Sequence, residues 1–269
     1  MIFRIIISGL FAVCSALIYA QEAIIFGVVP QQTASKLAAH WIPITAYLSE
    51  EVGVPIRFAT KPSISLFEQE LADQTYDIAY MNPYHYTVFS DQSGYVAIAK
   101  AKDKVIKGII VVPKESDMMS LRELAGRDMA FPSPGAFAAS ILSRGFLQQQ
   151  EIPINPVYVQ SHDSVYLNVQ RGVFPAGGGV RRTFNAVDPK VRDGLKVLWE
   201  SDGFTPHAIA VKGDVSADIR QRLQQAFVKM SIESPELLEP LKIKGFVAAN
   251  DSDWDDVRAL NIKLDLGVE

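Results

Sequence analysis

Apolar residues recur along this chain in two patterns, one of short continuous runs and one with the spacing of a helical face. AIIFGVVP (23–30) is a continuous run that ends at a proline, and ASKLAAHWIPITAYLSEEVG (34–53) has the helical spacing and ends at a glycine. Short apolar runs bounded by Pro or Gly are typical of buried strands, whereas spacing of three and four residues indicates an amphipathic helix. This stretch therefore predicts a strand followed by a helix.

The same alternation continues through two similar series. The first series predicts further strands and a helix at 54–59, 65–74, 76–81 and 95–101. The second series predicts strands and helices at 108–113, 120–127, 128–133, 136–150, 156–160, 164–172 and 195–201. A last strand at 207–213 and an amphipathic helix at 216–230 precede a tail of helical pieces around GFVAAN.

Repeated alternation of strand and helix favours an α/β protein whose sheets are mainly parallel and covered by helices on both faces. No linker separates the two series, so we expect two lobes joined by strands that cross between them, near 100–108 and 203–207. Lobe 1 is then 21–104 plus 206–269, and lobe 2 is 105–205.

The first 20 residues, MIFRIIISGLFAVCSALIYA, place one arginine before a long apolar run and end in small residues. This pattern predicts a secretory signal peptide cleaved after Ala20, and hence export from the cytoplasm. The alternative is a retained membrane anchor, although the apolar run is slightly shorter than the roughly 17 to 25 residues that usually span a bilayer. The only cysteine, Cys14, lies inside this run.

Composition argues for a binding protein without a cofactor. The chain has 269 residues, of which 48% are hydrophobic, and a formal net charge of −4, so it lacks the basic character expected of a nucleic-acid partner. It contains no HExxH, GxSxG, P-loop or CxxC motif, and its four histidines do not form a convincing metal pair. We therefore predict no catalytic residues, no metal and no cofactor.

The segment FPSPGAFAAS (131–140) predicts a strand end followed by a helix that begins with small residues. A helix start offers N–H groups without partners and a partial positive charge, so it attracts anions. Ser133 is a candidate cap, Gly135 and Ala136 let an anion approach the backbone, and Phe137 begins the helix. The alternative is an ordinary Ser-Pro helix start with alanines packed on the sheet.

Further candidates follow other strand ends, at the edge of an α/β sheet where ligands bind. In SHDSVYLNVQRG, His162 lies between a strand end and a helix start and is a candidate donor to an anion; the alternative is a surface or capping histidine. In lobe 1, the loops PQQTAS and TKPSIS offer Gln31 and Ser63.

The segment YDIAYMNPYHY (76–86) ends a lobe 1 strand in polar and aromatic residues. We expect Asn82 and Tyr84 to face the ligand, with His85 and Tyr86 as further candidates for the cleft wall. The alternative is aromatic packing beneath a loop, and Tyr86 is the first candidate for such a core position.

In combination, FGVVPQQ, YDIAYMNPYHY, LRELAGRDMAFPSPGAFAAS, SHDSVYLNVQRG, GGGVRRTF and TPHAIAVK resemble the periplasmic phosphonate/phosphite/phosphate-binding proteins of bacterial ABC importers. The resemblance covers nearly all of the predicted mature chain. It implies a two-lobed type II periplasmic-binding-protein-like fold with the ligand cleft between the lobes.

This resemblance also implies a phosphorus group held at residues 133–137 and contacted by His162. Where aminoalkylphosphonate binders of the family carry an Asp, GVFPAGGG aligns Pro175, so such ligands are disfavoured. Arg181 and Arg182 follow that segment as a candidate charge source, or as a solvated pair.

We therefore predict a monomeric receptor that delivers a small anion to an ABC transporter permease. The alternatives are a ligand sensor of the same fold that docks on a membrane kinase or cyclase, and an enzyme built on His162 and Asp163.

Overall fold

Two β-sheets organise the chain in the computed structural model, which describes residues 22–261; the predicted signal peptide lies outside the described residues. The first sheet has the order β11-β4-β10-β3-β1-β2 and the second β7-β6-β8-β5-β9. The first-sheet strands are β1 (Ile24–Val28), β2 (Ile56–Ala59), β3 (Ile78–Met81), β4 (Val96–Ala101), β10 (Ala208–Val211) and β11 (Phe246–Ala248). The second-sheet strands are β5 (Gly108–Pro113), β6 (Asp128–Phe131), β7 (Asn155–Tyr158), β8 (Ala176–Val180) and β9 (Leu195–Glu200).

Helices flank both sheets. They are α1 (Ala34–Val52), α2 (Ile64–Ala72), α3 (Pro83–Ser93), α4 (Ser143–Gln149), α5 (His162–Gln170), α6 (Arg181–Ala186), α7 (Pro189–Arg192), α8 (Ala217–Glu233) and α9 (Asp255–Arg258). A π-helix at Phe137–Leu142 runs directly into α4, and 3₁₀ turns lie at Leu121–Leu124, Pro235–Leu238 and Asp251–Trp254. In the part of the chain described here, no helix has the length and apolar character needed to cross a membrane.

Each sheet is mixed, with most of its strands running in one direction. In the first sheet β10 and β11 oppose the other four strands, and in the second β5 opposes the other four. Both β5 and β10 are the first strands after the chain passes from one sheet to the other.

The two passages between the sheets are paired with each other. Ile106 and Phe204 exchange two backbone hydrogen bonds, of 2.8 and 3.0 Å. Apolar clusters on the sheets form the cores. In the first lobe, Phe26 packs edge-to-face on Trp41 and Phe227, and in the second the core splits into clusters on either side of the sheet.

The structure adds two elements that the apolar pattern did not indicate. Helix α3 occupies the segment predicted as a loop after Met81, and β8 is a buried strand of sequence AGGGV. The expected helix at 136–150 is present but opens with the π-helix.

Candidate functional site

The helix start at residues 133–137, called here the helix-start segment, lies between the two sheets. Ser140 and Ile141 both donate to the Ala136 carbonyl, so the N–H groups of 137–139 lie ahead of the first backbone hydrogen bonds of the helix. Ser133 does not cap it, contrary to expectation: its Oγ has no partner among the described residues, and its carbonyl accepts from Ser140 Oγ at 2.5 Å. The helix therefore begins at Phe137, with Ala136 as its N-cap residue and no side-chain cap.

Two glycines bring this helix unusually close to the second sheet. A Cβ on Gly108 would come within 2.3 Å of the Ala138 carbonyl oxygen, and one on Gly178 within 2.1 Å of the Ala139 carbonyl oxygen. Any side chain at either position would push the helix away from β5 and β8. The glycines of GGGV thus position the helix-start segment.

Asn82 connects the lobes at this point. It is buried and caps α3, its Oδ1 accepting from the His85 N–H at 2.8 Å. Its Nδ2 donates to the Gly135 carbonyl across the lobes, at 3.1 Å. Two of the predicted residues are therefore in direct contact, although Gly135 offers its carbonyl there.

His162 begins α5 and is 1% exposed, with Ser161 capping the helix. Neither ring nitrogen has a hydrogen-bond partner in the described part of the chain. Burial, with the nearby Arg182 charge, lowers the pKa of His162 to about 3, so the ring is neutral at neutral pH. A neutral imidazole carries one N–H donor that can serve a ligand.

These residues meet at a narrow space that we call the interlobe gap. It is lined by Val29, Gln31, Ile64, Asn82, Ile106, Ala136, Phe137, Ala138, His162 and Val180. In this conformation the gap has no room for a free water molecule. A ligand would therefore have to separate the lobes to enter it.

The other predicted residues lie around the gap. Gln31 is buried, and its Oε1 accepts from Arg182 Nη2 at 2.6 Å, a second contact between the lobes. Ser63 caps α2 by accepting from the Leu66 N–H, and Tyr84 is buried in the first turn of α3. Ser63 and Tyr84 are outside the set that lines the gap.

His85 and Tyr86 belong to the core and do not wall a cleft. His85 is fully buried, with Nε2 2.8 Å from Glu68 Oε1. The Tyr86 hydroxyl donates to Asp251 and accepts from the Ala97 N–H. Both side chains are directed inward because α3 begins at Pro83, where the sequence suggested a loop.

The sequence did not show which of the two adjacent arginines, Arg181 or Arg182, faces the other lobe. Arg181 pairs with Glu200, whereas Arg182 reaches Gln31 across the lobes. Both follow Val180, which ends β8 at the gap, while Pro175 precedes β8 at its far end. Pro175 therefore lies outside the gap lining, at the end of a strand that the apolar pattern did not indicate. Marking GGGV as a strand end would have placed the arginines at the cleft.

No catalytic pair is formed at His162. Its ring nitrogens lack partners, so the Asp163 carboxylate does not orient the imidazole as a base. Asp163 instead faces Lys36 of α1, with 3.9 Å between its Oδ2 and the lysine Nζ, and burial raises its pKa. Among residues 22–261, no group of three or more metal-ligating side chains forms a metal site.

Two lobes joined by paired crossing strands, with polar residues of both lobes meeting at the gap, define a periplasmic-binding-protein-like fold. The family model described as "ABC transporter, phosphonate, periplasmic substrate-binding protein" matches residues 26–254, so the chain belongs to this family. Its members bind and deliver substrates and are not enzymes. The family also implies a periplasmic location, a small ligand and an ABC transporter permease as partner.

Three known proteins illustrate the similarity. The phosphate-import protein PhnD of Mycolicibacterium smegmatis is 20% identical over 270 residues, covering 88% of this chain and 84% of that protein. A phosphonate-transporter binding protein from Pseudomonas aeruginosa superposes with a TM-score of 0.83 at 16% identity, covering 90% of this chain and 86% of that one. PhnD1 from Prochlorococcus marinus, solved with methylphosphonate, gives 0.81 at 17% identity, covering 89% and 97%.

Proposed function

We propose that this protein captures a small phosphorus oxyanion, namely phosphate, phosphite or a simple phosphonate, in the cleft between its lobes. The observation that carries the proposal is His162, a buried neutral histidine without a hydrogen-bond partner that lines the interlobe gap. Leaving a buried polar group unpaired costs about 1 to 3 kcal/mol, which a ligand oxygen would recover. The ligands named for the mycobacterial and Prochlorococcus proteins support the same class.

In this proposal the anion is held by donors from both lobes. The N–H groups of 137–139, the Ser133 hydroxyl and the His162 ring would donate from lobe 2. Asn82 and Gln31 would donate amides from lobe 1, together with any contacts from Ser63 and Tyr84. Hydrogen bonds to a charged group contribute roughly 1.5 to 3 kcal/mol each, so four or five are enough for micromolar affinity after ordering costs.

Binding would shift the protein toward its closed state. The bonds from Asn82 to Gly135 and from Arg182 to Gln31 exist only while the lobes touch. An anion needs more room than the gap has in this conformation, so it would take the place of some of the lobe-to-lobe contacts and bond to both lobes itself. It would then stabilise a ligand-bound closed state by its differential affinity. We propose lobe boundaries at 21–104 plus 206–269 and at 105–205 for this motion, since the crossing segments around Ile106 and Phe204 lie at those limits.

The test is a thermal-shift and calorimetric titration of the protein with phosphate, phosphite, methylphosphonate and sulfate. A ligand at one hundred times its Kd adds about 2.7 kcal/mol to stability, or roughly 5 to 10 °C in a domain of this size. We expect at least one phosphorus anion to give such a shift and sulfate to give less. If none of them raises the midpoint, the proposed ligand class is wrong.

A matched pair of variants locates the site. His162→Gln should weaken the best ligand by at least tenfold, whereas His40→Gln should change its affinity less than twofold, since His40 lies outside the interlobe gap. Equal effects of the two substitutions would remove His162 from the site.

We further propose that the protein is a monomer, exported through cleavage after Ala20, that docks on its permease. Deleting its gene should abolish uptake of the ligand identified in the titrations. Normal uptake combined with a lost transcriptional response to that ligand would instead favour a sensor role.

A further inference from the structure

A second, larger cavity opens beside the interlobe gap. It has a volume of about 250 Å³ and shares Ile106 and Val180 with the gap. A ligand whose phosphorus group occupied the gap could extend a substituent into this cavity. We call it the basic cavity because of its lining.

Five cationic side chains line the basic cavity, and no Asp or Glu is among its lining residues. They are Lys104, Lys107, Arg181, Arg182 and Lys242. Five like charges around one concave space form a positive potential that would concentrate anions.

Only two of these charges have carboxylate partners. Lys107 and Arg181 both pair with Glu200, so one carboxylate offsets one of their two charges. Arg182 donates to the neutral Gln31 amide and Lys242 to the Asn185 carbonyl at 3.1 Å. Lys104 forms no ion pair with any described residue. Three of the five cationic side chains therefore have no carboxylate partner among the described residues.

A buried donor on the same wall indicates that the cavity is more than a solvated surface. His207 is 4% exposed, lines the cavity and stacks on Tyr80 with 4.9 Å between ring centroids. Its Nε2 has no hydrogen-bond partner among the described residues. Burial and the charge of Arg182 lower its pKa well below the usual value, so the ring stays neutral and its Nε2 can donate or accept one hydrogen bond.

We propose that the basic cavity selects ligands with a second anionic group, so that the preferred substrate is a phosphonate or phosphate ester whose short tail ends in a charge such as a carboxylate. This inference rests on the proposed function and names the substrate class of the same cleft. Lys104, Arg182 and Lys242 supply the counter-charge, and His207 supplies a directed hydrogen bond. A tail that ends in an ammonium group would meet only like charges there.

The test compares three phosphonates whose tails have the same length and differ in the terminal group. They are 3-phosphonopropionate with a carboxylate, propylphosphonate with a methyl group and 2-aminoethylphosphonate with an ammonium. By calorimetry we expect the carboxylate ligand to bind at least tenfold tighter than propylphosphonate, and the ammonium ligand at least tenfold weaker. Equal or reversed affinities of the carboxylate and methyl ligands would overturn the proposal.

Charge-matched double variants separate the cavity from the overall field of the protein. Lys104→Gln with Lys242→Gln should reduce the preference for the carboxylate ligand to less than threefold, because it weakens that ligand by a larger factor than it weakens propylphosphonate. The control, Lys102→Gln with Lys244→Gln, removes two exposed charges from the same loops but outside the cavity lining, and should keep the preference.

If both double variants lost the preference for the carboxylate ligand, long-range charge would be its cause, and the proposal that the basic cavity causes it would be wrong. A different result would reject the proposed function itself: phosphate, methylphosphonate and all three tailed ligands would fail to bind the wild-type protein. Tight binding of propylphosphonate without a carboxylate preference would retain the proposed function and reject only this inference.

Discussion

The side-chain amide of Asn82 donates to the Gly135 carbonyl across the two lobes, with 3.1 Å between nitrogen and oxygen. The Oδ1 of the same side chain caps α3 by accepting from the His85 N–H. One residue therefore holds a lobe 1 helix start against the lobe 2 helix-start segment. Lobe contact and the local structure of α3 depend on the same amide.

Asn82→Ala should weaken ligand binding because the anion loses the amide donor that Asn82 offers from lobe 1. We expect affinity for the best phosphorus anion to fall about 5- to 30-fold, corresponding to roughly 1 to 2 kcal/mol. Calorimetry measures this directly. Ser216→Ala is the control, since Ser216 caps α8 far from the gap, so that variant should lose stability but keep its affinity. An equal loss of affinity in both would show that capping alone is responsible.

Gly178→Ala should destabilise the protein because its Cβ would come 2.1 Å from the Ala139 carbonyl oxygen. Overpacking of this kind typically costs about 1 to 3 kcal/mol. Gly145→Ala is the matched control: it lies in α4, nothing lies within 4 Å of its added Cβ, and it should stabilise the helix by up to about 1 kcal/mol. Urea unfolding of both variants gives the two values, and a neutral Gly178→Ala would contradict the close packing of the helix on β8.

Acid should destabilise the protein through its buried histidines. The pKa of His162 falls from its usual value near 6.5 to about 3 in the folded state, so between these limits the unfolded chain binds more protons. Above pH 6.5 this protonation therefore costs no stability. Below pH 6.5 the free energy of unfolding declines toward pH 3, by up to about 1.4 kcal/mol per pH unit for each such residue. His207, whose pKa is also lowered, adds in the same direction.

Unfolding free energies measured between pH 4 and 8 check this expectation. His162→Gln should reduce the slope below pH 6.5, because glutamine does not titrate, and leave the curve above pH 7 parallel to wild type. An unchanged slope would mean that His162 is accessible and protonated in the folded state.

Tyr86→Phe should lower stability without changing affinity. The hydroxyl accepts from the buried Ala97 N–H and donates to Asp251, which is exposed and also pairs with Arg258. Removing it leaves the Ala97 N–H unpaired in the core, at a cost of about 1 to 3 kcal/mol. Tyr47→Phe is a suitable comparison: its hydroxyl bonds to Glu233 at an exposed site, so the loss should be smaller. A clear drop in affinity for Tyr86→Phe alone would return this residue to the cleft wall.

The apolar pattern was sufficient for most of the fold. Residues 108–113 form β5 as predicted, because a continuous run of valine and isoleucine has a strand as its ordinary outcome. It was insufficient at β8, where three glycines give no hydrophobic pattern. Those glycines are present because Val165, the Ala139 carbonyl and Tyr166 lie too close for side chains, and such packing between distant segments is not visible in the local sequence.

Part of the candidate site was also predictable from the order of strands and helices in the sequence. The rule that ligands meet strand ends led to Gln31, Asn82, Ala136, Phe137 and His162, all of which line one gap. It did not show that PYHY begins a helix, because Asn-Pro is equally compatible with a loop and a helix start. Nor did it show which of Arg181 and Arg182 faces the other lobe, since that depends on the direction in which α6 leaves the end of β8.

The pairing of Ile106 with Phe204 has a consequence for how the lobes exchange ligand. Two independent connections would let each passage change conformation by itself, whereas this bridge couples the two passages. We therefore expect a substitution at either Ile106 or Phe204 to change the same balance between open and closed lobes. The rate of ligand release to a permease would then depend on residues that do not touch the ligand.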